Sequence, residues 1–175
     1  AEAADLIAEA LGGSGTVALI PYIAGASTSN ERERGFKGQL ARHEGLRLVA
    51  TQYSESDYEK AMSVTEDILT ANPNLDAIFA ANEPSVLGAA QALRSRGVEG
   101  DVVLVGFDAS PRQVEGIRDG SIYALVVQNP YRMGYEGVMQ AYAALQGEEV
   151  PERIDSGSMI VTRDNVDDFE RSNTR

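Results

Sequence analysis

Five apolar runs of strand length alternate along the chain with amphipathic stretches of helix length. Thr16 to Ile20 (TVALI), Leu46 to Thr51 (LRLVAT), Ala77 to Ala81 (AIFAA), Val102 to Asp108 (VVLVGFD) and Ile122 to Gln128 (IYALVVQ) lack a clean period of two. Continuous apolar character is expected of parallel strands that are covered on both faces. Between them the spacing predicts helices at about Ser29 to Glu44, Asp57 to Ala71, Pro84 to Arg96 and Pro111 to Asp119, with a further helix at Ala3 to Leu11. Ser56 or Asp57 can cap the second of these, and Asn72-Pro73-Asn74 stops it. Pro84 and Pro111 suit first helical turns, and Gly97 and Gly120 suit helix exits. Strands that alternate with helices predict an α/β protein with a doubly wound, mostly parallel sheet flanked by helices.

The pattern changes after Gln128. Pro130 to Gln146 (PYRMGYEGVMQAYAALQ) is helical by spacing, yet Tyr131, Met133, Tyr135, Val138, Met139, Tyr142 and Leu145 nearly encircle it, so it wants more cover than one sheet face provides. An extended stretch follows at Arg153 to Val161, and an acidic tail ends the chain. These features divide the chain into an α/β domain at 1–128, a segment with the helix at 129–157, and a return strand with the tail at 158–175.

Charge and composition remove several functions. The 175 residues hold 15 Lys and Arg against 27 Asp and Glu, a net charge of −12, which gives no basic stripe for displacing counterions from a nucleic acid. No run approaches the roughly 20 apolar residues of a membrane span, and the opening AEAADLIAEAL carries acids where a signal peptide carries Lys or Arg. Without cysteine there are no disulfides, thiolate nucleophiles or cysteine-based metal sites. His43, the one histidine, sits in the polar stretch ARHEGL as a surface or capping residue. No G-x-S-x-G elbow, H-E-x-x-H or Walker A pattern occurs, which disfavours an α/β hydrolase. Gly12, Gly13 and Gly15 precede a strand and read as a helix stop rather than a phosphate cradle. Glu148-Glu149 and Asp167-Asp168 read as solvated turn residues. No catalytic residue, cofactor or metal is expected.

In a doubly wound sheet the ligand lies beyond the carboxyl ends of the strands. The polar residues there are Asn82, Asp108 and Gln128, and the first strand opens into GASTSNERERGF, which carries Arg32. Together they offer a five-donor fork, two amides and a charged acceptor, a mixture that suits the vicinal hydroxyls of a monosaccharide or polyol. Asp108 and Arg32 can also pair. Each residue has a plainer reading: Arg32 as a surface helical arginine, Asn82 and Asp108 as helix caps, Gln128 as a loop residue bonded to backbone amides.

The segments GASTSNERERGF, AIFAANEPSVLGAAQAL, VVLVGFDASP, DGSIYALVVQNPYRMGYEGV, LQGEEVP and MIVTRDNV resemble, in this order and over almost the whole chain, periplasmic sugar-binding proteins of the ribose, galactose and xylose type. The most specific piece is Q-N-P-Y-x-M-G-Y-x-G-V from Gln128 to Val138. The resemblance implies that Arg32, Asn82, Asp108 and Gln128 are sugar ligands of a second lobe, that Phe107 lines the pocket, and that an ABC permease receives the sugar outside the cytoplasm. The ribose-type pattern places a stacking aromatic near Ser56, where only Tyr53 and Tyr58 are close here. It further implies a first lobe, on the order of 100 residues, upstream of the first of three crossovers, and makes the segment at 129–157 a crossover with its helix. The helix at 130–146 would pack on that lobe or, failing it, drive self-association. An effector domain of a regulator related to the lactose repressor is the alternative, since it shares the fold and the VVGFD-like strand.

Overall fold

The computed structural model describes residues 1–173. Its elements are, in chain order, α1 (Glu2–Ala10), β1 (Ser14–Ile20), α2 (Ser27–Leu40), β2 (Gly45–Thr51), α3 (Tyr58–Ala71), β3 (Ala77–Ala80), α4 (Glu83–Arg96), β4 (Val103–Phe107), α5 (Pro111–Asp119), β5 (Ala124–Gln128), α6 (Pro130–Leu145), β6 (Ser158–Thr162) and α7 (Val166–Asn173). The strands form one sheet in the order β2-β1-β3-β4-β5-β6. The first five are parallel, and β6 runs antiparallel along the edge of β5, pairing Gln128 with Ser158 and Ala124 with Thr162. This is the doubly wound α/β architecture expected from the alternating pattern.

The continuous apolar runs serve two cores at once. Val17 and Leu19 of β1 join a cluster with Ile7, Phe36, Leu40, Phe79 and Val105, under α1 and α2. Ala18 and Ile20 join Ile68, Ile78, Val86, Leu93, Leu104 and Ile117, under α3, α4 and α5. Successive side chains point to opposite faces, so both parities must be apolar when both faces are covered. The Phe36 and Phe79 rings stack at 4.7 Å between centroids and pin α2 to β3.

Two departures from the sequence reading lie at the carboxyl end. The segment read as an acidic tail contains α7, with Asp167 and Asp168 in the first turn, where the positive end of the helix dipole favours them. Arg118 of α5 holds Asp167 at 3.0 Å and Glu170 at 2.7 Å. Its apolar stripe consists of Val166 and Phe169, too short a pattern to reveal a helix. The extended stretch is also shorter than read, since only Ser158–Thr162 pairs in the sheet. The α6 helix forms as expected and has no buried residue; Tyr131 and Leu145 are 82% and 84% exposed.

The α3 and α4 helices approach closely because Gly88 has no side chain. A Cβ there would lie 2.5 Å from the Tyr58 carbonyl oxygen and 2.6 Å from the Ala61 Cβ, contacts that only backbone movement relieves. Gly88→Val is expected to lower stability by about 1–3 kcal/mol by overpacking. The denaturant midpoint measures this, and an unchanged midpoint contradicts the close packing.

Candidate functional site

All five parallel strands deliver their carboxyl ends to one rim. The order β2-β1-β3 reverses direction at β1, so a crevice opens between the tips of β1 and β3, where helices leave in opposite directions. Arg32, from the second turn of α2 after β1, reaches across this point and donates from Nη1 to the Ala81 carbonyl oxygen at 2.6 Å. Its guanidinium carbon lies 3.6 Å from the centroid of the Phe107 ring and 5.3 Å from that of Tyr22. Arg32 and Asp108 do not form the ion pair that the sequence allowed: among the described residues no carboxylate lies within 4.0 Å of Arg32. The aromatic faces and the carbonyl hold the half-buried cation instead, and its remaining N–H groups are unspent.

Asn82, only 8% exposed, follows Ala81 and is the N-cap of α4. Its Oδ1 accepts from the Ser85 backbone N–H at 3.3 Å and from the Ser85 hydroxyl. The Ser85 hydroxyl also meets that of buried Ser54 at 2.7 Å. This fixes the amide so that Nδ2 faces outward, where it donates to the Ser56 hydroxyl at 2.8 Å. The capping reading is therefore correct for one end of the amide, and the other end keeps one N–H at the rim.

Asp108 follows Phe107 at the tip of β4 with φ of 70°, a left-handed backbone that costs an L-residue on the order of 1 kcal/mol. Its backbone N–H donates to the Val126 carbonyl at 3.0 Å, and its Oδ1 accepts from Gln128 Nε2 at 2.7 Å. The cap of α5 is Ser110, whose backbone N–H donates to Gln113 Oε1 at 2.9 Å, so Asp108 is not spent on capping. Gln113 in turn donates to the Phe107 carbonyl at 2.8 Å and steadies the strand tip. A cleft of about 750 Å³ opens beside Asp108 and Gln128 and is also lined by Asn129 to Arg132 and Ser156 to Met159. Arg32 and Asn82 do not line it and stand further along the same rim, at the tips of β1 and β3.

The sequence-derived residues thus form a connected set: Arg32 touches Ala81, beside Asn82, and Phe107, beside Asp108, which holds Gln128. Tyr53 and Tyr58 have other partners. The Tyr53 hydroxyl donates to Glu33 Oε2 at 2.6 Å, and Arg112 lies 5.8 Å over the Tyr58 ring. His43 meets Asp5 at 2.8 Å and joins α1 to the end of α2, away from the rim. Sequence reasoning did not single out Tyr22, Ser54 or Ser85. Tyr22 could have been found as the first aromatic after the first strand, whereas the two serines carry no signal of their own. Among the described residues there is no cluster of metal ligands, and no helix is long and apolar enough to cross a membrane.

A mostly parallel doubly wound sheet whose strand tips gather polar side chains at one edge defines the class of doubly wound α/β proteins. Residues 1–149 match the periplasmic binding protein domain, and the chain belongs to this family. It is 37% identical over 148 residues to the ribose import binding protein of Escherichia coli K12, with 85% of this chain and 49% of that protein covered. It is 33% identical over 153 residues to the D-allose-binding periplasmic protein of the same organism, covering 86% and 49%. An ABC transporter solute-binding protein from Agrobacterium vitis, solved with α-D-tagatopyranose bound, superposes with a TM-score of 0.92 at 35% identity over 98% of this chain and 58% of that one. The fold is that of a type I periplasmic binding protein, these relatives are transport-binding proteins rather than enzymes, and nothing among them favours a transcription regulator. The chain spans about half the length of the curated relatives it matches.

The Glu33 to Tyr53 bond ties the loop after β2 to α2, the helix that carries Arg32. Hydrogen bonds from Lys37 and then Tyr53 hold the Glu33 carboxyl below its ordinary value. A carboxyl whose pKa is lower in the folded state stabilises the fold above its unfolded pKa, and that contribution is lost as pH falls through the folded value. Melting temperatures followed into the acid range are expected to fall more steeply for the native chain than for Glu33→Gln. Parallel curves contradict the hold of Lys37 and Tyr53 on this carboxyl.

Proposed function

We propose that this chain is the second lobe of a sugar receptor that serves an ABC importer outside the cytoplasm. Arg32, Asn82, Asp108 and Gln128 are its sugar ligands, and Phe107 lines the pocket. The observation that carries the reading is the Asp108 to Gln128 bond beside a half-buried Arg32 that has no carboxylate partner among the described residues. A charged acceptor, two amides and an arginine fork are held at one rim with capacity to spare. Ring hydroxyls each donate one hydrogen bond and accept two, and such a set can satisfy several at once. The relatives that bind ribose, allose and tagatose support a monosaccharide or a similar polyol.

No chemical step on the sugar is required. A first lobe closes over the rim, the ligand bridges both lobes only in the closed state, and binding therefore shifts the population toward closure. The crossovers near Gln128 to Pro130 and Ser156 to Ser158 act as hinges, and the permease takes the sugar from the closed form. The exposed apolar face of α6, residues 130–145, packs on that first lobe, which accounts for a helix with no buried residue.

A thermal-shift series with ribose, allose and tagatose on the intact receptor tests this proposal. A monosaccharide present at a hundred times its Kd stabilises the folded state by about 2.7 kcal/mol and raises the melting temperature by several degrees. Asp108→Asn keeps a residue tolerant of the left-handed backbone and removes the charged acceptor, so it is expected to weaken binding at least roughly tenfold. No shift with any monosaccharide or polyol, or an undiminished shift in the variant, contradicts the reading.

A further inference from the structure

Arg32 is a cation of the rim, and among the described residues no carboxylate fixes its direction. Nη1 is anchored on the Ala81 carbonyl at 2.6 Å, and the guanidinium lies over two rings, Phe107 at 3.6 Å and Tyr22 at 5.3 Å. Tyr22 stands just beyond β1, half-buried against the core under α1 and α2. Its hydroxyl has a partner at the start of α2. It meets the Thr28 hydroxyl at 2.6 Å and spans the loop between β1 and α2. In the same loop the Ile23 backbone N–H donates to buried Ser29 at 3.3 Å, so the segment carrying Tyr22 is tied to the start of α2 twice. Arg32 sits one turn further along that helix.

Resting on the sugar-receptor reading, we propose that Tyr22 is a positioning residue for ligand recognition: with Phe107 it forms an aromatic clamp that sets the plane of the Arg32 guanidinium. A flexible arginine fork loses rotamer freedom each time it engages hydroxyls, and a fork already held by rings and a carbonyl loses less. Cation–π contact also holds the guanidinium in place without a carboxylate that would consume its donors. The ring of Tyr22 matters for this role, and the hydroxyl serves only to hold the ring.

Two readouts on the intact receptor test the clamp. In the ligand-free protein the Arg32 Nε–H proton resonance is expected upfield of ordinary arginine values, to move back toward them in Tyr22→Leu, and to stay in Tyr22→Phe. Calorimetric titration with ribose or allose, whichever the native receptor binds, is expected to show roughly fivefold weaker affinity in Tyr22→Leu, near-native affinity in Tyr22→Phe, and no further loss from Tyr22→Leu in an Arg32→Met background. An unmoved resonance in Tyr22→Leu overturns the clamp, as does an equal affinity loss with and without Arg32. If the native receptor binds no sugar, the receptor reading fails, and the resonance alone then decides the clamp.

Discussion

Five strands that point the same way must end at the same edge, and everything polar in the candidate site depends on that edge. The strand interiors are apolar on both sides, so the first residues able to meet water or ligand are those just past each tip. Those positions hold Tyr22, Asn82 and Asp108, with Gln128 as the last residue of β5. The sheet order reverses at β1, which spreads the helices there and lets Arg32 cross from α2 to the Ala81 carbonyl. That bond stitches the two sides of the crevice together.

The rim is assembled from groups already held in place rather than from free side chains. Asn82 is fixed by Ser85, which is fixed by Ser54. Asp108 is fixed by its own backbone bond and by Gln128, at the cost of a left-handed conformation. Glu55 and Ser56, at φ of 55° and 60°, carry the same kind of strain in the loop after β2 that meets Asn82. Strained non-glycine residues persist where their surroundings over-determine them, and they gather at ligand sites. Holding the donors in advance reduces the ordering that binding would otherwise require.

Much of the fold was legible because burial on both faces leaves a continuous apolar run, which a one-sided sheet does not. Strand limits moved by a residue or two where the tips leave the ladder, as at Ala81 and Asp108. The α7 helix stayed hidden because Val166 and Phe169 are its only apolar anchors. At the site, residue type and strand-end position identified Arg32, Asn82, Asp108 and Gln128 as candidates, but how Arg32 is satisfied was not readable. A ring and a carbonyl from residues 75 and 49 positions away replace the ion pair with Asp108 that charge alone suggested. Ser56 meets Asn82 through a turn geometry that no local pattern announces.

The central claim is that separate strand tips hold one polyhydroxylated molecule together. A crystal structure of the intact receptor grown with the sugar that stabilises it most is the direct measurement. The account predicts a single sugar whose hydroxyls lie within hydrogen-bond distance of the side chains of Arg32, Asn82, Asp108 and Gln128. A sugar seated elsewhere, or one that leaves Asp108 and Gln128 bonded only to each other, contradicts it.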